Sequence, residues 1–117
     1  MSVELIEAIL QEVWADEVDI LGSATVRDIS THAGEDNVIY KTAGGHPFDA
    51  GSAAHLLVEA ATLVKISIEI YRLLKRDDTE GPADAELKEK ILEDNRVAKL
   101  QNLVKEKITD IIKILKG

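Results

Sequence analysis

Residues 52–76 constrain the fold most, because they combine helical periodicity with apolar positions around more than half of the helix. At about 100° per residue, those positions form one broad arc. Charged side chains are confined to the narrow remaining side. A helix with so wide an apolar arc needs neighbours on two sides, so we expect it to be central in a mainly α-helical bundle. The arc consists of Leu56, Ala60, Leu63, Val64, Ser67, Ile70, Tyr71 and Leu74.

Three other segments also show helical periodicity. The chain between residues 83 and 116 lacks glycine and proline, but its apolar positions change phase, which predicts a break near residues 94–96. Gly22 is a natural end for the first helical stretch. The sequence therefore predicts a single helical domain, residues 1–117, with about four helices. These helices are expected at 3–18, 52–76, 83–94 and 96–116.

The composition restricts the core to aliphatic side chains. The 117 residues include only one Trp, two Tyr and one Phe, and there is no cysteine. The lack of cysteine excludes disulfides, thiol nucleophiles and cysteine-ligated metal sites. From the helical periodicity we expect a core of Ile6, Ile9, Val13, Leu56, Leu63, Val64, Tyr71, Val104, Ile108 and Ile111.

The segment 22–48 supports two interpretations. It contains four of the seven glycines, and β-like patches at 24–29 and 38–42 flank a stretch that could form a turn. This pattern predicts an irregular segment or a short β-hairpin. The alternative is a short helix over residues 25–33, because the alternation of apolar and polar side chains is poor.

Charge is distributed unevenly along the chain, whose formal net charge is −8. Residues 1–23 contain six acidic side chains and no basic one, whereas residues 96–117 contain six basic and two acidic ones. Complementary charge steers docking. These two segments are therefore expected to lie near each other or near the ends of another copy. The simpler alternative is two solvated helix faces of different sign.

The chain shows no sequence signal for export or membrane insertion. Its N-terminus lacks the basic start and the long apolar run of a signal peptide. The most apolar stretch, residues 56–74, is interrupted by four charged side chains. We therefore expect a cytoplasmic protein that does not insert into a membrane.

One candidate ligand site combines His46, Asp49 and His55 near the start of the central helix. Two imidazoles and a carboxylate could bind a divalent metal or relay protons, which would suit a small enzyme or a ligand-binding domain. Their spacing matches no standard metal-binding motif, so no cofactor is predicted. A helix cap at Asp49 and a surface pair between His55 and Glu59 explain the same residues.

Residues 24–34, which read ATVRDISTHAG, together with Tyr40 resemble the helix-turn-helix of tetracycline-repressor-type regulators. Those regulators also place an amphipathic helix before the motif. The resemblance covers a small part of the chain and implies a DNA-binding helix-turn-helix remnant at 24–41. Tyr40 stands one position early, and the recognition segment 35–41 carries two acids in place of bases. Nucleic acid is therefore not an expected partner, since DNA affinity depends on cationic side chains.

The last predicted helix carries a candidate interaction surface. Its apolar seam is wider than one neighbouring helix should cover in a four-helix chain. The sequence therefore predicts a non-catalytic helical interaction or regulatory module that self-associates or serves as an accessory subunit. Its expected partner is another protein or a second copy. The expected surface consists of Leu103, Ile112, Ile114 and Leu115.

Overall fold

The computed structural model describes residues 3–33, 49–75 and 83–117, and all regular secondary structure within them is helical. The mainly α-helical class predicted from the sequence is confirmed. The described residues contain more helices than the four predicted, because two of the predicted helices are interrupted and an additional helix, Ser23–Thr31, lies in the segment expected to be irregular or a hairpin. The helices are α1 (Val3–Val13), α2 (Ala15–Leu21), α3 (Ser23–Thr31), α4 (Asp49–Lys75), α5 (Asp84–Glu93), α6 (Asn95–Ala98), α7 (Asn102–Lys105) and α8 (Ile108–Lys116).

Helix α4 is the central element of the fold. Every other helix in the described part of the chain packs against it. Its 27 residues span about 40 Å at 1.5 Å per residue. The segment predicted over 52–76 matches this helix closely. Buried residues surround much of its circumference, which explains its central position: Leu57, Ala60, Ala61, Leu63, Val64, Ile66, Ser67 and Ile68.

The core agrees well with the periodicity of the sequence. Seven of the ten predicted core residues are buried: Ile6, Ile9, Leu63, Val64, Val104, Ile108 and Ile111. The other three, Val13, Leu56 and Tyr71, are half-buried and pack against the same cluster. The aliphatic core expected from the composition is therefore present, with the buried Trp14 as its one large aromatic side chain within the described residues.

The helix predicted over 3–18 is interrupted at Trp14. The backbone of Trp14 leaves helical geometry, with φ −121° and ψ 48°, while its side chain is buried. A second helix, α2, then runs to Leu21, and Gly22 separates it from α3 as the sequence predicts. Gly22 has φ +85°, a conformation that L side chains rarely adopt, so glycine suits this junction.

Helix α3 occupies the position of the first strand of the predicted hairpin, so the strand at 24–29 is wrong. The alternative helix over 25–33 is close to what the structure shows. Val26 and Ile29 are both buried, and their spacing of three residues fits a helix but not one face of a strand. The hydroxyl of Ser30 donates to the carbonyl of Val26 at 2.8 Å. The second strand, at 38–42, lies outside the described residues.

The predicted break near residues 94–96 is present, but the continuous helix predicted over 96–116 is wrong. Asp94 has an extended backbone and caps α6, its carboxylate accepting from the Arg96 amide at 2.8 Å. Gln101 is also extended, with φ −63° and ψ 148°, and precedes α7. A turn at 106–107 then separates α7 from α8. Short helices α6 and α7 therefore replace the first half of the predicted helix.

Candidate interaction surfaces

The structure separates the four side chains of the predicted interaction surface. Ile112 is 2% exposed and belongs to the core, so it is not part of the surface of this chain. Ile114 and Leu115 are half-buried and pack against the core. Leu103, by contrast, is 64% exposed. The surface inferred from the sequence is thus reduced to the surroundings of Leu103.

Ile112 is buried because α8 has more neighbours than the sequence analysis expected. The helix packs against α1, α4 and α5, not against a single helix. Three contacts cover a wide apolar arc, which includes Ile108 and Ile111 as well as Ile112. The apolar excess in α8 therefore serves the fold.

Leu103 lies in the single turn of α7, beside the buried Val104. Lysines at positions 99, 105 and 107 surround it in the sequence, with one acid, Glu106. None of the three lysines forms an ion pair with another described residue. Lys99 is exposed, whereas Lys105 and Lys107 are half-buried. We call Lys99, Leu103, Lys105 and Lys107 the basic patch.

The start of α7 is fixed by a side chain of α4. The backbone amide of Gln101 donates to Glu59 Oε1 at 2.8 Å, and its side-chain amide donates to Glu59 Oε2. The Glu59 side chain is largely buried. These two bonds join residues 42 positions apart in the sequence and determine where the turn bearing Leu103 begins.

A second link holds α6 against α4. Arg96 Nε and Nη2 donate to the two carboxylate oxygens of Asp94 at 3.1 and 3.0 Å, and Nη2 lies 3.5 Å from Glu69 Oε2. The hydrogen bond from Arg96 lowers the pKa of Asp94, and the same bond raises the pKa of Arg96. Since Arg96 meets Glu69 and Gln101 meets Glu59, the segment 96–101 runs antiparallel to α4.

A surface of opposite charge lies on α2. Asp16, Glu17 and Asp19 precede Ile20, which is 50% exposed, and Asp16 is one helical turn before it. None of these acids forms an ion pair with a described residue. We call Asp16, Glu17, Asp19 and Ile20 the acidic patch. Its negative charge is evident from the sequence, whereas the exposure of Ile20 is visible only in the structure.

The terminal helices do lie together, since α1 packs against α8. Charged side chains of these helices also form ion pairs with other elements. Glu7 of α1 lies 3.3 Å from Arg27 of α3, and Lys116 of α8 lies 2.6 Å from Asp84 of α5. The acidic and basic patches, on α2 and near α7, take no part in these pairs.

The residues of the alternative ligand site have different surroundings. His55 is on α4 with its side chain 71% exposed, and its Nε2 lies 3.0 Å from Glu59 Oε2, the surface pair considered in the sequence analysis. Asp49 is the first residue of α4. His46 lies outside the described residues, as does the recognition segment 35–41 of the helix-turn-helix resemblance. Convergence of His46, Asp49 and His55 therefore stays a prediction.

The described ranges contain neither a metal-binding cluster nor a membrane-spanning helix. Within 3–33, 49–75 and 83–117, no group of three or more His, Cys, Asp or Glu side chains could hold a metal ion. None of the helices in these ranges combines the length and the hydropathy of a membrane span.

No protein-family model, curated protein or solved structure shows significant similarity to this chain.

Proposed function

We propose that this chain is a non-catalytic helical module that binds another protein through the basic patch. The observation that supports it is that Leu103 is exposed and that the lysines near it in the sequence, Lys99, Lys105 and Lys107, have no ion-pair partner among the described residues. Fully burying a leucine side chain gains about 1.5–3 kcal/mol, and most of that gain is unused in the free chain. A partner that covers Leu103 with apolar side chains and surrounds it with acidic ones would gain this free energy of burial and would also neutralise the lysines.

Exposure alone does not distinguish Leu103, because single exposed leucines are common on protein surfaces. Leu73, near the end of α4, is 61% exposed and also has cationic neighbours, Arg72 and Lys75. The difference lies in how the surroundings of Leu103 are held. Gln101 and the buried Val104 fix its turn against α4, so binding there would cost little ordering entropy.

Affinity capture from the native source tests the proposal with a matched control. Immobilised wild-type chain, Leu103→Gln and Leu73→Gln are each exposed to the same lysate. We expect a protein that is retained by the wild type and by Leu73→Gln but lost by Leu103→Gln. Identical retention by all three baits, or equal losses with both variants, would contradict a binding role for the basic patch.

Stability measurements make this result interpretable. Because Leu103 is exposed, Leu103→Gln should change the free energy of unfolding by no more than about 0.5 kcal/mol. Urea unfolding of the three baits checks this directly. A variant that unfolds at lower urea would be replaced by Leu103→Lys, which also removes the apolar contact.

A further inference from the structure

We infer that the partner is a second copy of this chain and that the basic patch of one copy binds the acidic patch of the next. This inference depends on the proposed function and names its partner. The two patches have opposite charge, and each contains one exposed aliphatic side chain, Leu103 or Ile20. An apolar centre with complementary charge around it is a common arrangement in protein interfaces.

The patches do not neutralise each other within one chain. Helix α2 packs mainly on α1, α3 and α4, whereas α7 packs mainly on α4. None of the ion pairs among the described residues joins the two patches. Contact between copies would pair the lysines of the basic patch with the carboxylates of the acidic patch and would cover both Leu103 and Ile20.

The formal charge of −8 opposes association over long distances, because two copies repel each other. At an ionic strength of about 0.1 M the Debye length is roughly 10 Å, so this repulsion is largely screened while charges in contact still attract. At about 1 M the Debye length falls to roughly 3 Å and the attraction between the patches is screened as well. We therefore expect association to weaken between these two salt concentrations.

An interface between two different patches is heterologous. A bound pair still has one free acidic patch on one copy and one free basic patch on the other, so the arrangement extends into open chains or closes into a ring. With one exposed aliphatic side chain on each side, the contact falls at the small end of known interfaces and should be weak and reversible.

Paired substitutions on each patch test the inference. The acidic-patch variant is Asp16→Asn with Ile20→Gln, and the basic-patch variant is Leu103→Gln with Lys107→Gln. Sedimentation equilibrium should show a wild-type mass that rises with concentration. Each variant should associate at least about tenfold more weakly, the factor that corresponds to 1.4 kcal/mol.

Two control variants remove the same chemistry elsewhere. Glu89→Gln with Leu92→Gln removes one acid and one exposed leucine from α5, and Arg72→Gln with Leu73→Gln removes one base and one exposed leucine from α4. Both controls should associate like the wild type. Equal weakening by the controls would show that association is unspecific and would overturn the inference.

Mixing the two patch variants gives the sharpest result. The acidic-patch variant keeps its basic patch, and the basic-patch variant keeps its acidic patch. Each variant alone should associate at least about tenfold more weakly than the wild type, whereas an equimolar mixture should form a complex of two chains with near wild-type affinity. A mixture that stays monomeric, although the wild type associates, would exclude the contact between the two patches.

The results also separate this inference from the proposed function. A wild-type chain that stays monomeric up to about 1 mM overturns the second copy as partner. If the Leu103→Gln bait still fails to capture a protein that the wild type and Leu73→Gln both retain, the proposed function stands without this inference. Binding to anionic lipid vesicles through the basic patch, with no change in mass, would assign the patch to a membrane surface and would also overturn the inference.

Discussion

Helix α4 and the C-terminal segment 95–116 have similar spacing of apolar residues, yet one is a single helix and the other is three. Short polar side chains behave differently in the two regions. In α4, Thr62 and Ser67 donate to carbonyls four residues back, at 3.0 and 2.7 Å, and the helix continues. In the C-terminal region, Asp94 accepts from a backbone amide two residues ahead and starts a new helix. Apolar spacing predicts which side chains are buried, but it does not show a local capping bond such as the one that Asp94 accepts at the start of α6.

The two regions also differ in what holds them in place. Helix α4 is surrounded by apolar side chains on several sides. The segment 94–105 is held against it by Val97 and Val104, which are buried, and by polar bonds to Glu59 and Glu69. Substitutions of these contacts should therefore affect the two regions to different extents.

The largest expected effect comes from substituting Ile112, a buried residue of the interrupted segment. It would show that this segment, like α4, contributes to the core. Ile112→Glu would place a carboxylate among buried aliphatic side chains, and we expect a loss of at least about 4 kcal/mol or no stable fold. Ile114→Glu should cost less, since Ile114 is half-buried. Circular dichroism and urea unfolding measure both. Wild-type stability of Ile112→Glu would exclude Ile112 from the core.

The next largest effect is expected from truncating one buried aliphatic residue in each region to alanine. Leu63→Ala in α4 removes more buried volume than Val104→Ala in α7, and both residues are fully buried. We expect Leu63→Ala to lower the free energy of unfolding by about 2–5 kcal/mol and Val104→Ala to lower it by less. Urea unfolding of both variants tests the order. The reverse order would mean that α7 is packed more rigidly than α4.

A smaller and more local effect is expected from the link between the regions. Glu59→Ala removes the acceptor of both Gln101 bonds and should cost about 1 kcal/mol, because water replaces part of what is lost. Amide hydrogen exchange should become faster at 101–105 and stay unchanged at 57–68. Glu59→Gln keeps one carbonyl acceptor and should have a smaller effect. Faster exchange throughout α4 would show that the link supports the whole fold.

The smallest effect concerns pH. Arg96 lowers the pKa of Asp94 below its ordinary value of 3.8, so this contribution to stability is present above that value and is lost as the pH falls through the lowered pKa. Asp94→Asn keeps a capping side chain and removes the charge. It should cost no more than about 1 kcal/mol at neutral pH and reduce the loss of stability below about pH 4. Unfolding curves between pH 2 and pH 7, roughly the range that spans this titration, compare the two proteins. An unchanged acid profile would contradict the pairing.

The sequence was most informative about α4 and the core, where the signal is a repeated apolar spacing. It did not reveal the break at Trp14, which combines a buried side chain with a non-helical backbone. Nor did it reveal the break before α7, because the acceptor for Gln101 is Glu59, far away in the sequence. The periodicity of α8 was correct, but the surface assigned to Ile112 was wrong because three helices cover α8.

The candidate surfaces were predictable to a smaller extent. Counting charges located the acidic segment 1–23 and the basic segment 96–117 that contain the patches, and the width of the apolar seam in the last predicted helix pointed to Leu103. The exposure of Ile20 was not predicted, because the first helix was expected to span 3–18 and Ile20 lies beyond it. The polar role of Glu59 was equally hidden, since a glutamate on the charged side of a helix gives no sign of its partner.

The central position of α4 has a consequence for synthesis of the chain. Ribosomes make the N-terminal part first, so α1 to α4 emerge before the segment that contains Arg96 and Gln101. Until that segment follows, Glu59 and Glu69 lack these partners, and the apolar side of α4 that it covers stays in contact with water. The nascent chain therefore passes through a stage with an incomplete core, when binding by chaperones would be most useful.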